Sequence, residues 1–409
     1  MKDLIVKKVS QFKEEILDFT QKLISIPTIN PPGENYLSCV EFIGEKLKEN
    51  KIKYEIIKVP SLTPDKKRFP RYNLLAYFGK GNRTLHFHGH YDVVPAFDQD
   101  QFKPQIKNGK LYGRGSSDMK SGLALMIYVL KIIEELGITL NGRIVLSIVP
   151  DEETGGYFGT KYLFDNKFLT KGGIGMLMPE PTSGFIWNGN RGALSLKVIL
   201  KGKSAHVSLE HQGINPFEKM IELGKLLLDY KKELANRKTK FRIKPEGKES
   251  SILMLGGTAQ SGASFNVVPE ECYFSLDRRF NPEEDLESQK KELMEIINKF
   301  ARDKVKINLE ILQEGNSSST SKNDLLAQAL SRAIREIKGE TPEFGLCPGL
   351  CEVRYFINNG IPAFGYGPGL LAVSHGPEEY ICLKDILNCT AIYVLTVLQV
   401  LGHSEKENK

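Results

Sequence analysis

Between Asn141 and Asp151 the chain reads Gly-Arg-Ile-Val-Leu-Ser-Ile-Val-Pro. Arg143–Val149 is a nearly continuous β-branched and apolar run. A strand buried on both faces has this composition, because neither side alternates to polar residues. Short apolar runs at Asn73–Phe78 and Arg83–His88 also read as strands. Between and around them lie segments with helical periodicity. Residues 11–26 repeat Phe12, Ile16, Leu17, Phe19, Leu23 and Ile24, and Pro27 and Pro31-Pro32-Gly33 stop that helix. Others cover about 37–50 and Ser121–Leu136, and one begins within Thr160–Phe164. This alternation implies an α/β layer structure.

The pattern changes near residue 187. Ala193–Lys201 alternates, with Leu194, Leu196, Val198 and Leu200 on one side. A helix at about 215–235, strands at Ser251–Leu255 and Cys272–Leu276, a helix at Leu286–Arg302 and a strand at Val305–Leu312 follow. The order is β-α-β-β-α-β, the split arrangement of ferredoxin-like folds. Residues 187–313 therefore read as an α+β domain inserted into a first domain made of 1–186 and 314–409. Helices at about 323–338 and 384–402 resume the α/β alternation.

With 409 residues, 41% hydrophobic and 26% charged, the chain has the mix of a globular protein of two or three domains. Fifty-six basic against 50 acidic residues leaves +6, a weak field. No basic run exceeds three residues, so nucleic acid and membrane surfaces are excluded as partners. No stretch approaches about 18 uninterrupted apolar residues, and no secretory leader is visible. Six scattered cysteines without a CxxC suit reduced thiols in a cytoplasmic protein.

Seven histidines are present, three of them in Leu85-His-Phe-His-Gly-His-Tyr-Asp92. Alternation puts His86, His88 and His90 on one face, about 6.6 Å apart at each step. The segment reads either as a three-histidine metal site or as one ligand beside two packed histidines. Asp92 follows His90 at the distance of a carboxylate that orients a ligating imidazole. Next comes Gly113-Arg-Gly-Ser-Ser-Asp118-Met-Lys-Ser-Gly122 before an apolar helix. It lacks the order of a phosphate loop, and Asp118 alone fits a helix N-cap equally well. Asp151-Glu152-Glu153 ends the buried strand, where open α/β sheets bind ligands. Glu180 closes another apolar segment, and His375 lies in Val373-Ser-His-Gly-Pro-Glu-Glu379. His90, Asp118, Glu153, Glu180 and His375 form a mixed N/O set that suits zinc. Glu152 adjoins a ligand and is free to act as a base.

These motifs, in this order and spacing, resemble those of the dizinc aminoacylase family, which includes acetylornithine deacetylase, succinyl-diaminopimelate desuccinylase, aminoacylase and glutamate carboxypeptidase. The resemblance covers nearly the whole chain. It implies a zinc-peptidase-like α/β catalytic domain and an inserted lid and dimerisation domain, hence a homodimer. It implies two zinc ions, with cobalt or manganese as substitutes, bridged by Asp118. His90 and Glu180 would complete one site, Glu153 and His375 the other. Asp92 would steer His90, and Glu152 would be the general base toward a metal-bridged hydroxide. His206, in Gly202-Lys-Ser-Ala-His206, matches a histidine that supports the oxyanion in a neighbouring subunit. Asn266, Arg279, Arg354, Gly367 and Gly369 match substrate-binding positions, with Arg278 the alternative to Arg279. His86 and His88 fall on positions that are not ligands. Glu352 stands where relatives usually carry Asp, and Ser116-Ser117 replace small apolar residues. The implied reaction is hydrolysis of the amide bond of a small N-acyl amino acid, with a dipeptidase or carboxypeptidase as the alternative. A metal-binding relative without catalysis is the reading from outside that class.

Overall fold

The structure is a computed structural model and describes residues 1–60, 67–245, 247–302 and 305–405. The chain divides into two compact units, one of residues 1–189, 319–347 and 351–409, the other of 190–318 and 348–350. The ends read from sequence, 187 and 313, fall three and five residues short of Asn190 and Ser318.

The larger unit begins with helices α1 (Lys2–Gln11), α2 (Lys13–Ile24) and α3 (Tyr36–Glu49). Strands β1 (Lys53–Lys58), β2 (Tyr72–Lys80) and β3 (Thr84–His90) follow, then helix α4 (Lys120–Glu135) and strands β4 (Gly142–Val149), β5 (Gly175–Met178) and β6 (Ile186–Asn190). After the inserted unit, α7 (Leu325–Lys338), α8 (Val353–Asn358), β11 (Ala363–Gly365) and α9 (Leu383–Leu401) complete it. Among the described residues the central sheet has nine strands, seven of which run in the order β1-β2-β4-β3-β5-β11-β6. β3 pairs parallel with both β4 and β5, and β11 pairs parallel with β5.

Alternate residues of β4 enter different cores. Ile144, Leu146 and Ile148 join the cluster that contains α1 to α4, α7 and α9, whereas Val145 and Val149 join one with Val353 and Phe356 of α8. Both faces are therefore covered, as the unbroken apolar run requires. Each such side chain contributes about 1.5–3 kcal/mol relative to exposure. His86 and His88 share the second face and pack on the Phe356 ring. α9 is the one helix among the described residues long and apolar enough to cross a bilayer, although it holds no 18-residue unbroken apolar run. Most of it is buried between α4, α7 and α1 instead.

In the smaller unit the order is β7 (Gly192–Lys201), α5 (Pro216–Leu234), β8 (Ile252–Ser261), β9 (Glu271–Phe280), α6 (Leu286–Ala301) and β10 (Lys306–Gly315). The sheet runs β8-β9-β7-β10, with every pair antiparallel. One face carries the core. Leu194, Leu196, Val198 and Leu200 meet Leu223 and Leu227 of α5 and Leu293 and Ile297 of α6. Asn215 and Asp285 cap the two helices by accepting from Phe217 N and Ser288 N, each cap worth about 1 kcal/mol. β8 outruns the segment read from sequence because a register shift between Leu255 and Ala259 lets a Gly-rich stretch continue the ladder.

Candidate metal centre

Parallel pairing puts the carboxyl ends of β3, β4, β5 and β11 along one edge of the sheet. His90 is the last residue of β3. The turn Glu152–Thr154 follows β4, and Glu180 lies two residues beyond β5. Asp118 comes from the loop before α4, and its peptide bond to Met119 is cis. Glu379 holds that loop: its Oε1 accepts from Ser117 N at 2.9 Å and Asp118 N at 3.1 Å. Arg114 in turn pairs with Glu379 and donates to the carbonyl of His375, which ties the two ligand loops together.

Two groups of donor atoms converge here, His90 with Asp118 and Glu180, and Asp118 with Glu153 and His375. Within each, one ligand atom per residue lies within 4.8 Å of the others. His90 Nε2 is 3.2 Å from Asp118 Oδ1 and 3.5 Å from Glu180 Oε1. His375 Nε2 is 3.3 Å from Asp118 Oδ2 and 3.2 Å from Glu153 Oε1. Asp118 therefore turns a different oxygen to each group, the disposition of a bridging carboxylate. Glu152 belongs to neither group.

The electrostatics fit cations. Burial opposes an imidazolium at His90, yet hydrogen bonds to Asp118, Asp92 and Glu180 outweigh it and raise His90 well above its ordinary value. Asp118 is buried too, but His375 and His90 hold it below the usual carboxylate range. Burial and the Asp118 charge push Glu180 up to about 8. Burial also raises Glu153 and, more strongly, Glu152. Five carboxylates, Asp92, Asp118, Glu152, Glu153 and Glu180, crowd two imidazoles, an excess of negative charge that divalent cations would relieve. Each donor set, one nitrogen with two carboxylates, suits zinc and its N/O-preferring neighbours.

Asp92 has two tasks. His90 Nδ1 lies 3.0 Å from the Asp92 backbone carbonyl and 3.2 Å from its Oδ1, and the two together orient the ring. Its two oxygens also accept from Glu152 N and Glu153 N at 3.2 Å each, and Asn30 Nδ2 donates at 2.8 Å. Asp92 thus organises both His90 and the turn bearing Glu152.

Gly367 and Gly369 lie in the loop after β11. A side chain on Gly367 would collide with the Pro179 and Glu180 carbonyls, and Gly369 has φ +100° beside Ser117 Oγ. Arg354 is buried and donates to the Gly155 carbonyl at 2.7 Å. In the smaller unit, Ala205–His206 pairs with Val267–Val268, which brings His206 beside the Asn266 loop. His206 is exposed, and its Nδ1 lies 2.8 Å from Ser208 Oγ. Arg278 is fully buried against Glu284 and Gln289, whereas Arg279 is partly exposed and pairs with Asp277. His86 and His88 enter neither donor group. Sequence reasoning missed Asn30, Arg114 and Glu379. Asn30 stands next to Pro31-Pro32 and Glu379 four residues after His375, but no periodicity marks them.

A model of the peptidase family M20/M25/M40 matches residues 86–399. An uncharacterised metallohydrolase of Methanocaldococcus jannaschii is 26% identical over 93% of this chain and 98% of its own length. The succinyl-diaminopimelate desuccinylase of Wolinella succinogenes is 28% identical, covering 91% of this chain and 96% of that one. The fold of the di-peptidase Dug1p from Saccharomyces cerevisiae superposes with a TM-score of 0.79 at 17% identity, over 98% of both chains.

Proposed function

This chain belongs to peptidase family M20/M25/M40, the dizinc aminoacylase group, and is a metal-dependent hydrolase; from that premise we propose that it cleaves the amide bond of a small N-acyl amino acid. The observation that carries the reading is Asp118 facing both imidazoles, with Glu152 beside the ligands and outside both donor groups. The 28% identity to a desuccinylase along nearly the whole chain supports the substrate class.

In this reading His90, Asp118 and Glu180 hold one cation, and Asp118, Glu153 and His375 the other. The two cations supply Lewis acidity and lower the pKa of water toward neutrality. Glu152 takes the proton of the attacking water and later gives it to the leaving amine. His206 donates to the oxyanion, an interaction worth about 3 kcal/mol. Arg279 holds the substrate carboxylate, and we favour it over Arg354 because it is the more exposed guanidinium. Asn266, Gly367 and Gly369 border the substrate.

We read the inserted unit as ferredoxin-like, supported by its element order and antiparallel sheet, and as the dimerisation unit of a homodimer. Ile221 and Leu228, exposed on α5, support that interface. An active monomer in analytical ultracentrifugation would remove the role of His206 at a neighbour's site. We also read the enzyme as cytoplasmic, where its six free thiols stay reduced.

The test is amine release from N-acetyl and N-succinyl amino acids and from dipeptides, with added zinc, cobalt or manganese. Turnover of an N-acyl amino acid is expected. Turnover of dipeptides alone replaces deacylation with a dipeptidase, and two bound metals without turnover on any substrate replaces catalysis with metal binding.

A further inference from the structure

Glu352 and His88 are fully buried and belong to neither donor group. His88 Nδ1 lies 2.7 Å from Ser147 Oγ, and its Nε2 lies 2.8 Å from Glu352 Oε2. The other oxygen of Glu352 accepts from Thr160 Oγ1 at 2.6 Å. Thr160 is buried as well and stands just past the turn that carries Glu152 and Glu153. The residues after Glu352 grip the same turn: Arg354 Nη2 and Tyr355 Oη both donate to the Gly155 carbonyl, at 2.7 and 2.8 Å. Gly156 leaves no room for a Cβ against Glu352 and Tyr355.

The turn is thus held from two sides. Asp92 takes Glu152 N and Glu153 N, and the Glu352–Tyr355 segment takes Gly155 and Thr160. A buried carboxylate–histidine pair is a weak source of stability, because desolvation offsets most of the attraction. Its value lies in geometry when both carboxylate oxygens are engaged, as those of Glu352 are by His88 and Thr160.

We propose that Glu352, with His88 and Thr160, is a positioning residue that fixes the Glu152–Gly155 turn and so sets where the Glu152 carboxylate stands. The proposal rests on the reading of Glu152 as general base. A role in packing alone makes the opposite prediction. Thr160→Val keeps the side-chain shape but leaves Glu352 Oε1 without its donor, so either role costs stability, and only the positioning role also loosens the turn and lowers kcat.

The experiment uses the full-length, zinc-loaded chain with Thr160→Val, Thr160→Ser and Tyr355→Phe. Two measurements are taken. Amide hydrogen exchange at Gly155 and Gly156, whose N–H groups bond Glu152 O and Asp151 O, reports the turn without any substrate. kcat and KM are measured on the best substrate of the panel above. In Thr160→Val, exchange in the turn rises about tenfold or more while β4 amides stay unchanged. Zinc content stays at the wild-type value, and kcat falls roughly 10- to 100-fold with KM nearly constant. Thr160→Ser restores both readouts. Tyr355→Phe, at a half-buried site, shows the same pattern at roughly threefold size and serves if Thr160→Val does not fold. Unchanged exchange in the turn overturns the proposal, and so does faster exchange with kcat unaffected. If the wild-type chain turns over no substrate, the functional reading falls, and the exchange readout alone judges the clamp.

Discussion

His90 and His375 meet opposite oxygens of Asp118 at 3.2 and 3.3 Å, yet one imidazole is 1% exposed and the other 48%. His90 ends a central strand, and its far nitrogen is held by Asp92, itself bound by Asn30 and two backbone amides. Glu180, its partner, is buried beside the Gly367 loop. His375 comes from a loop and sits at φ +64°, a conformation a non-glycine residue adopts only when its surroundings enforce it. Arg114 donates to the His375 carbonyl at 3.2 Å and so helps to hold that backbone. One half of the centre is built into the sheet. The other hangs from a loop tied back by the Arg114–Glu379 pair. Ligands on rigid elements lose less freedom on binding, so the His90 half should hold its cation more tightly.

The largest effect should come from the one residue both halves share. Asp118→Ala should empty both halves and abolish turnover, with metal content per chain as the check. Retention of one tightly held metal would mean the halves are independent. Glu152→Gln should leave both metals in place and lower kcat about 10²- to 10⁴-fold. Near wild-type turnover would remove Glu152 as the base.

The asymmetry itself is tested by ligand deletion. Under a chelator, His375→Ala should keep one metal at concentrations where His90→Ala keeps none. Asp92→Asn should weaken the His90 half roughly 10- to 100-fold. Equal losses from both halves would erase the distinction drawn here.

The smallest effect concerns a third imidazole of the same strand. Burial pushes His86 down to about 4, so the folded chain refuses a proton that the unfolded chain accepts near 6.5. The stability it contributes is complete above pH 6.5 and is lost as pH falls toward 4, by at most roughly 3 kcal/mol. In metal-free protein, His86→Leu should flatten the fall in melting temperature between pH 6.5 and 4.

The residues of the two donor groups were legible as candidates because each lies at a strand end or in a Gly/Pro-marked loop, where periodicity breaks and a polar residue stands out. The strand reading of Leu85–His90 also put His86, His88 and His90 on one face, and the one local sign that sets the last apart is Asp92 two residues on. Glu352 lies 264 residues from His88 and 192 from Thr160, so their pairing is a product of topology alone. For the same reason the match of Arg354 to a substrate position said nothing of its bond to Gly155. α1 escaped notice because only Ile5 and Val9 of its ten residues are buried, too few to show a period. In β8 the stretch beyond Leu255 has no apolar alternation, and pairing with β9 alone makes it a strand.

Anomalous diffraction from crystals grown with zinc tests the central claim most directly. Two zinc peaks per chain are expected, both touching the Asp118 carboxylate, one of them ligated by His90 and Glu180 and the other by Glu153 and His375. A single peak, or zinc that does not contact Asp118, would contradict the account.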